Sequence, residues 1–172
     1  MRPPLFGITG WKNSGKTTLA AALIRELTRR GYSVTALKHA HKSFEIDHPG
    51  RDSFKLREAG AARVVVSSPK RWAIMRELRG EPEAGFEELL AEAGLCDLVV
   101  IGGFKDQSFP KLEIRRDGAA SREPLARQIS HVVAIASDRP QDEKDDLPIF
   151  QIDDVTGITN FVITHLRLAS KS

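Results

Sequence analysis

"LFGITGWKNSGKTTLAAALIRELTRRG", residues 5–31, decides the fold. The run LFGIT (5–9) is apolar, stops at glycine and reads as a buried strand. Leu19, Leu23 and Leu27 then recur four apart, and Arg29, Arg30 and Gly31 mark the end of a helix. Between strand and helix, Gly10, Gly15, Lys16 and Thr17 fit the phosphate-loop pattern Gly-x4-Gly-Lys-[Ser/Thr]. Backbone N–H groups of such a loop point inward as an anion nest, and the helix N-terminus adds its positive dipole end. Lys16 is placed to reach the β- and γ-phosphates and Thr17 to offer a hydroxyl to Mg²⁺. Thr18 is placed to bond an α-phosphate oxygen, and Lys12 adds positive charge. The candidate cradle is Gly10, Lys12, Asn13, Ser14, Gly15, Lys16, Thr17 and Thr18. Trp11 reads as a packing residue.

SVTALKH (33–39) reads as the next strand, completing a βαβ unit with a parallel pair and a right-handed crossover. Further strands are expected at 62–68, 71–78, 97–104, 131–137 and 147–153, the last suiting an edge. Helices are expected at 52–60, 83–94 and 155–169, with Asp52 as the N-cap of the first. PKLEIRR (110–116) alternates, so it reads as a strand with one exposed face, suited to a sheet edge. The expected fold is α/β, a three-layer P-loop NTPase fold with a mostly parallel, helix-flanked sheet. It is expected to form a single domain over 1–172.

The composition is that of an ordinary globular chain: 41% hydrophobic and 28% charged over 172 residues. The single cysteine, Cys96, excludes an internal disulfide framework and a multi-cysteine metal site. No signal peptide is legible at the N-terminus, and no apolar run approaches the ~18 residues of a membrane span. A cytoplasmic protein is expected, with no membrane partner. The net charge of +3 is too mild to argue for nucleic acid. The cations concentrate between Lys38 and Arg79, which suits an anionic ligand or an acidic partner surface.

KHAHKSFEIDHPGRDS (38–53) follows the second strand at the end of the sheet where ligands bind. Lys38, His39 and His41 are candidates to face phosphate, and Asp47 or Asp52 to stand near Mg²⁺. His39, His41, Asp47 and His48 are also metal-ligand types, but His39 and His41 alternate along an extended segment and point apart.

Three stretches, GWKNSGKTTL, LKHAHKSFEIDHPGRDSFKLREAGA and GFKDQSFPKLEI, closely resemble the molybdopterin-guanine dinucleotide biosynthesis protein B (MobB) family. The resemblance runs from residue 6 to about 116 and more loosely through AIASD (134–138). It implies a dimeric P-loop GTP-binding protein. Such a protein assists the guanylyltransferase that joins a guanine nucleotide to the molybdenum cofactor, and contact with the molybdopterin itself is a further implication. In the family, glutamate typically precedes Gly-Phe-Lys; Gly102 stands there in this chain. Asp97 does not substitute, because five residues at about 3.3 Å each put it roughly 16 Å from that strand's far end. Asp47, Asp52 and Asp106 remain to support magnesium with Thr17. The expectation is nucleotide binding with at most slow GTP hydrolysis.

Asp138 follows a late strand, where guanine-specific P-loop proteins carry the aspartate that accepts from the guanine N1–H and N2–H, though the usual Asn-Lys before it is missing. A turn aspartate before Arg139-Pro140 is the plainer reading. Lys105 and Lys111 are candidates for phosphate or pterin. A homodimer is implied by the resemblance, with the strand after Pro110 as a possible pairing edge. Two other readings stay open: a small-molecule kinase with a lid over 68–80, although Trp72, Ile74 and Met75 look like packing, and a metallocentre-insertion GTPase chaperone.

Overall fold

The computed structural model of the chain describes residues 2–40 and 44–171. Two compact units divide it: residues 1–39 with 86–172, and residues 40–85.

The larger unit is built on a six-stranded sheet. Its strands are β1 (Leu5–Gly10), β2 (Val34–Lys38), β5 (Leu98–Gly102), β6 (Lys111–Arg115), β7 (Val132–Ser137) and β8 (Ile149–Gln151), in spatial order β2-β5-β1-β6-β7-β8. Every neighbouring pair is parallel. On one face lie α1 (Lys16–Arg29) and α4 (Val155–His165). Leu19, Leu23 and Leu27 of α1 and Ile158 and Val162 of α4 close over Phe6, Ile8, Leu98, Val100, Leu112, Ile114, Ala134 and Ala136. Asp154 caps α4 by accepting from the Gly157 N–H at 2.8 Å. On the other face, Phe86 and Leu90 of α3 (Phe86–Ala91) pack on Val99, Ile101 and Phe109. Helices on both faces of a parallel sheet give the expected three layers.

β6 corrects a sequence expectation. It is central, hydrogen-bonded to β1 and β7, and all five of its residues are buried. Its polar alternates are buried too: Lys111 is held by the carbonyls of the turn before the strand, and Glu113 and Arg115 pair with each other and with segments that follow, so the alternation marks a polar face buried inside the molecule. The edge strands of this sheet are β2 and β8. Pairing with a second copy through the strand after Pro110 is therefore ruled out.

The smaller unit holds α2 (Asp52–Glu58) and an antiparallel hairpin of β3 (Arg63–Ser68) and β4 (Arg71–Arg76). α2 starts from Arg51 with no side-chain cap, so Asp52 is its first helical residue and not its N-cap. There its charge still complements the helix dipole. Arg57 ties the unit together, donating to Glu77 at 2.7 Å and Glu45 at 3.1 Å. Trp72 and Ile74, read as packing residues, are exposed; Trp72 is 69% accessible.

Candidate functional site

β1 delivers the chain into the phosphate loop in the middle of the sheet. A Cβ on Gly10 would stand 2.6 Å from Ser14 Oγ and 2.9 Å from the Ile114 carbonyl, so only glycine lets the loop lie this close to β6. Asn13 (φ 65°) and Gly15 (φ 92°) are left-handed, which turns the backbone N–H groups inward as a nest. Gly15 is the N-cap of α1 and brings no side-chain cap, and the first turn, Lys-Thr-Thr-Leu, carries no acid. The helix end is left positive and its N–H groups are open to an anion. Lys16 Nζ donates to the Gly10 carbonyl at 2.9 Å and the Trp11 carbonyl at 2.6 Å. The ammonium thus braces the loop from within, and partial burial lowers its pKa from the ordinary lysine value. Thr17 and Thr18 are exposed. Ser14 Oγ is buried and has no hydrogen-bond partner among the described residues.

The loop is sewn to the segment after β6. The Trp11 indole donates to the Glu123 carbonyl at 2.8 Å, and Ala120 N–H donates to the Lys12 carbonyl at 2.8 Å. Trp11 is therefore a structural tie, as expected of a packing residue.

Lys38, His39, Lys105 and Asp138 lie at the same, C-terminal end of the parallel strands, whereas Lys111 opens β6 at the other end. Lys38 pairs with Gly102 in register, and His39 N–H donates to the Gly102 carbonyl at 2.9 Å. The His39 ring leans on Phe104, centroids 4.8 Å apart. Lys105 is exposed in the turn just beyond. These three cluster at the end of β5, with β5 between β2 and β1. Asp97, by contrast, accepts from Ser33 N–H and Lys171 at the start of β5, the far end of the sheet.

Asp138 follows β7 on the opposite flank. It accepts from Arg122 Nη1 at 2.6 Å and from the Asp117 N–H at 2.7 Å. Burial works to raise its pKa, but these hydrogen bonds outweigh it and the carboxyl is held below the ordinary aspartate value. Arg122 also donates to Ser137 Oγ and Glu143. Behind it, Arg115 donates two bonds to Glu113 at 3.0 and 3.1 Å and also reaches Glu143 and Asp145. Glu113 in turn accepts from the N–H groups of Leu125 and Ala126. Sequence reasoning missed this whole network. Its signal was the acidic stretch 138–146 lying in the same chain as the run of arginines at 115, 116, 122 and 139.

Lys111, proposed as a phosphate or pterin contact, is 1% exposed. Its ammonium donates to the carbonyls of Gln107 and Phe109 and sits 4.2 Å from the Phe109 ring centroid. Burial lowers its pKa. It closes its own turn, with its charge solvated by carbonyls. Asp47 and Asp52 belong to the smaller unit. Asp47 is buried, accepting from His48 N–H at 3.0 Å and Ser53 Oγ at 2.9 Å. Asp52 is exposed beside Lys55. His41 lies outside the described residues. Among the described residues, no cluster of three or more metal-ligating side chains is present, and no helix is long and apolar enough to cross a membrane.

A family profile described as "MobB: Molybdopterin guanine dinucleotide synthesis protein B" matches residues 5–138. The chain is similar to the molybdopterin-guanine dinucleotide biosynthesis adapter protein of Escherichia coli (strain K12), at 38% identity over 95% of this chain and 94% of that protein. The protein of the same description from Haemophilus influenzae is 35% identical over 92% and 87%. Among solved structures, Bacillus subtilis MobB superposes with a TM-score of 0.74 at 24% identity, covering 98% of this chain and 99% of that one, a likeness of fold.

Proposed function

This chain belongs to the molybdopterin guanine dinucleotide synthesis protein B family, and on that premise we propose that it is a guanine-nucleotide-binding accessory protein of molybdenum cofactor biosynthesis. It would hold GTP for a partner guanylyltransferase that forms molybdopterin guanine dinucleotide, working in the cytoplasm. The observation that carries this is the cradle: a left-handed Gly15 opening a helix whose first turn carries no acid, with Lys16 inside the loop. Gly10, Lys12, Asn13, Ser14, Thr17 and Thr18 complete the phosphate side, with Lys38, His39 and Lys105 toward β5 and Asp138 toward the base.

The donor set fits magnesium weakly. Thr17 offers an exposed hydroxyl, but the place on β5 where an acid is expected is Gly102. When bound, magnesium would neutralise phosphate charge; Asp47 and Asp52 are the carboxylates proposed to assist it. The described residues around the loop bind and orient phosphate, and none of them stands out as a base for water. Holding nucleotide with slow or no hydrolysis follows.

A homodimer is part of the proposal. Its support is the hairpin: Val65 and Ile74 pair directly across β3 and β4, Trp72 lies on the same face, and all three are exposed. Apolar side chains clustered on one sheet face favour burial against another copy.

Equilibrium titration with GTP, GDP and ATP, with and without Mg²⁺, tests the reading. GTP and GDP should bind in preference to ATP, and Lys16→Ala should abolish binding. An ATP preference with phosphate transfer to an added acceptor would overturn it in favour of a kinase.

A further inference from the structure

Four arginines, 115, 116, 122 and 139, stand at or beyond the end of β6. Three are matched to acids. Arg115 is enclosed by Glu113, Glu143 and Asp145; Arg122 by Asp117, Asp138 and Glu143; Arg139 pairs with Asp117. Arg116 is different. Its guanidinium has no hydrogen-bond or ion-pair partner among the described residues, yet it does not project away from the protein. Its Nη1 lies 3.4 Å from the point where a Cβ on Gly15 would stand, and it is the one described atom beyond Gly15's chain neighbours within 4 Å of that point.

The backbone fixes this placement. Ile114 is in register with Gly10, so Arg116 emerges two residues beyond the start of the phosphate loop. Its carbonyl accepts from Ala119 N–H at 3.2 Å, and the next residue, Ala120, bonds the Lys12 carbonyl. The guanidinium therefore joins the Lys16 ammonium and the positive end of α1 at one cradle whose helix end carries no acid. Like charges gathered in this way repel until an anion arrives, which marks a polyanion site.

We infer that Arg116 is a phosphate-binding residue of this site. Its fork donates to non-bridging oxygens of the phosphate seated on the Gly15 side of the cradle. This rests on the nucleotide reading above and adds a cation from β6 that the phosphate-loop pattern does not contain. A planar guanidinium suits two oxygens of one phosphate, or one oxygen on each of two. Where Gly102 offers no carboxylate to hold a metal ion, Arg116 supplies positive charge directly.

The test is calorimetric titration of the full chain with GDP and, separately, with inorganic pyrophosphate. The proteins are wild type, Arg116→Ala, Arg116→Lys, Lys16→Ala and, as a control, Arg25→Ala at an exposed position of α1. Arg116→Ala should weaken both ligands by a similar factor, about tenfold or more for a lost charged hydrogen bond. Arg116→Lys should recover part of this, because it keeps the charge and loses the fork. The melting temperature of the ligand-free protein should not move. Equal affinities in Arg116→Ala and wild type would overturn the inference, as would a loss accompanied by a lower ligand-free melting temperature. If wild type binds GDP, Lys16→Ala does not, and Arg116→Ala is silent, only the inference fails. If wild type binds neither ligand, the nucleotide reading fails and the inference with it.

Discussion

Gly102 and Gly103 stand side by side at the end of β5 for different reasons. Gly103 has φ 102°, and a Cβ there would meet the His39 Cβ at 2.8 Å. Gly103→Ala should cost about 1–3 kcal/mol through strain and that clash, read as a lower urea midpoint. At Gly102 the nearest atom to an added Cβ is Lys38 Cγ at 4.0 Å, and the backbone is not left-handed. The fold therefore admits a side chain at 102. Gly102→Glu should fold with stability within about 1 kcal/mol of wild type. It should also raise magnesium-dependent GTP hydrolysis, measured as phosphate release, above a wild-type turnover expected to lie below about 1 s⁻¹. No rise would mean that the missing carboxylate is not what limits hydrolysis. The phosphate-loop residues were legible from spacing, because that pattern is local. The partners of Asp138 were not, because Asp117 and Arg122 reach it from another segment.

At the scale of elements, β6 and the hairpin show why alternation misleads. The sequence KLEIR carries charge at every second position, which normally marks a solvated face. Here Glu113 is fully buried and Arg115 nearly so, each satisfied by the other and by segments beyond the strand. Removing one member leaves the other buried without its partner. Arg115→Met should therefore destabilise by about 3–5 kcal/mol in urea unfolding. Glu113→Gln keeps one acceptor oxygen but turns its amide N–H₂ against N–H donors and removes the charge facing Arg115, so it should also lower the urea midpoint. The hairpin shows the reverse: residues expected to pack are exposed. Val65→Lys and Ile74→Lys should shift sedimentation of the protein toward a monomer, and an unchanged oligomeric state would show that this face is not the contact between copies.

For the whole molecule, the ionic network sets the response to acid. Asp138 and Glu143 both titrate below their ordinary values of 3.8 and 4.5, since bonds from Arg122 to Asp138 and from Arg115 and Ser137 to Glu143 outweigh the opposing effect of burial. A carboxyl with a depressed folded pKa contributes its stabilisation fully above its unfolded pKa and loses it as the pH falls through the folded one. Urea midpoints should hold steady down to about pH 5 and drop below it, and Arg122→Ala should make that drop shallower. The sequence by itself determined the strand-loop-helix cradle and the two apolar helical faces, which follow from spacings within one segment, and the parallel sheet, which follows from the alternation of apolar strands and helices along the chain. Tertiary structure decided that β6 lies at the centre of the sheet, that Lys111 closes its own turn, that Asp138 is held by Arg122, and that Arg116 reaches Gly15. Each of these depends on which segments meet in space, and the free energy of a buried charge is set by the partners that folding brings to it.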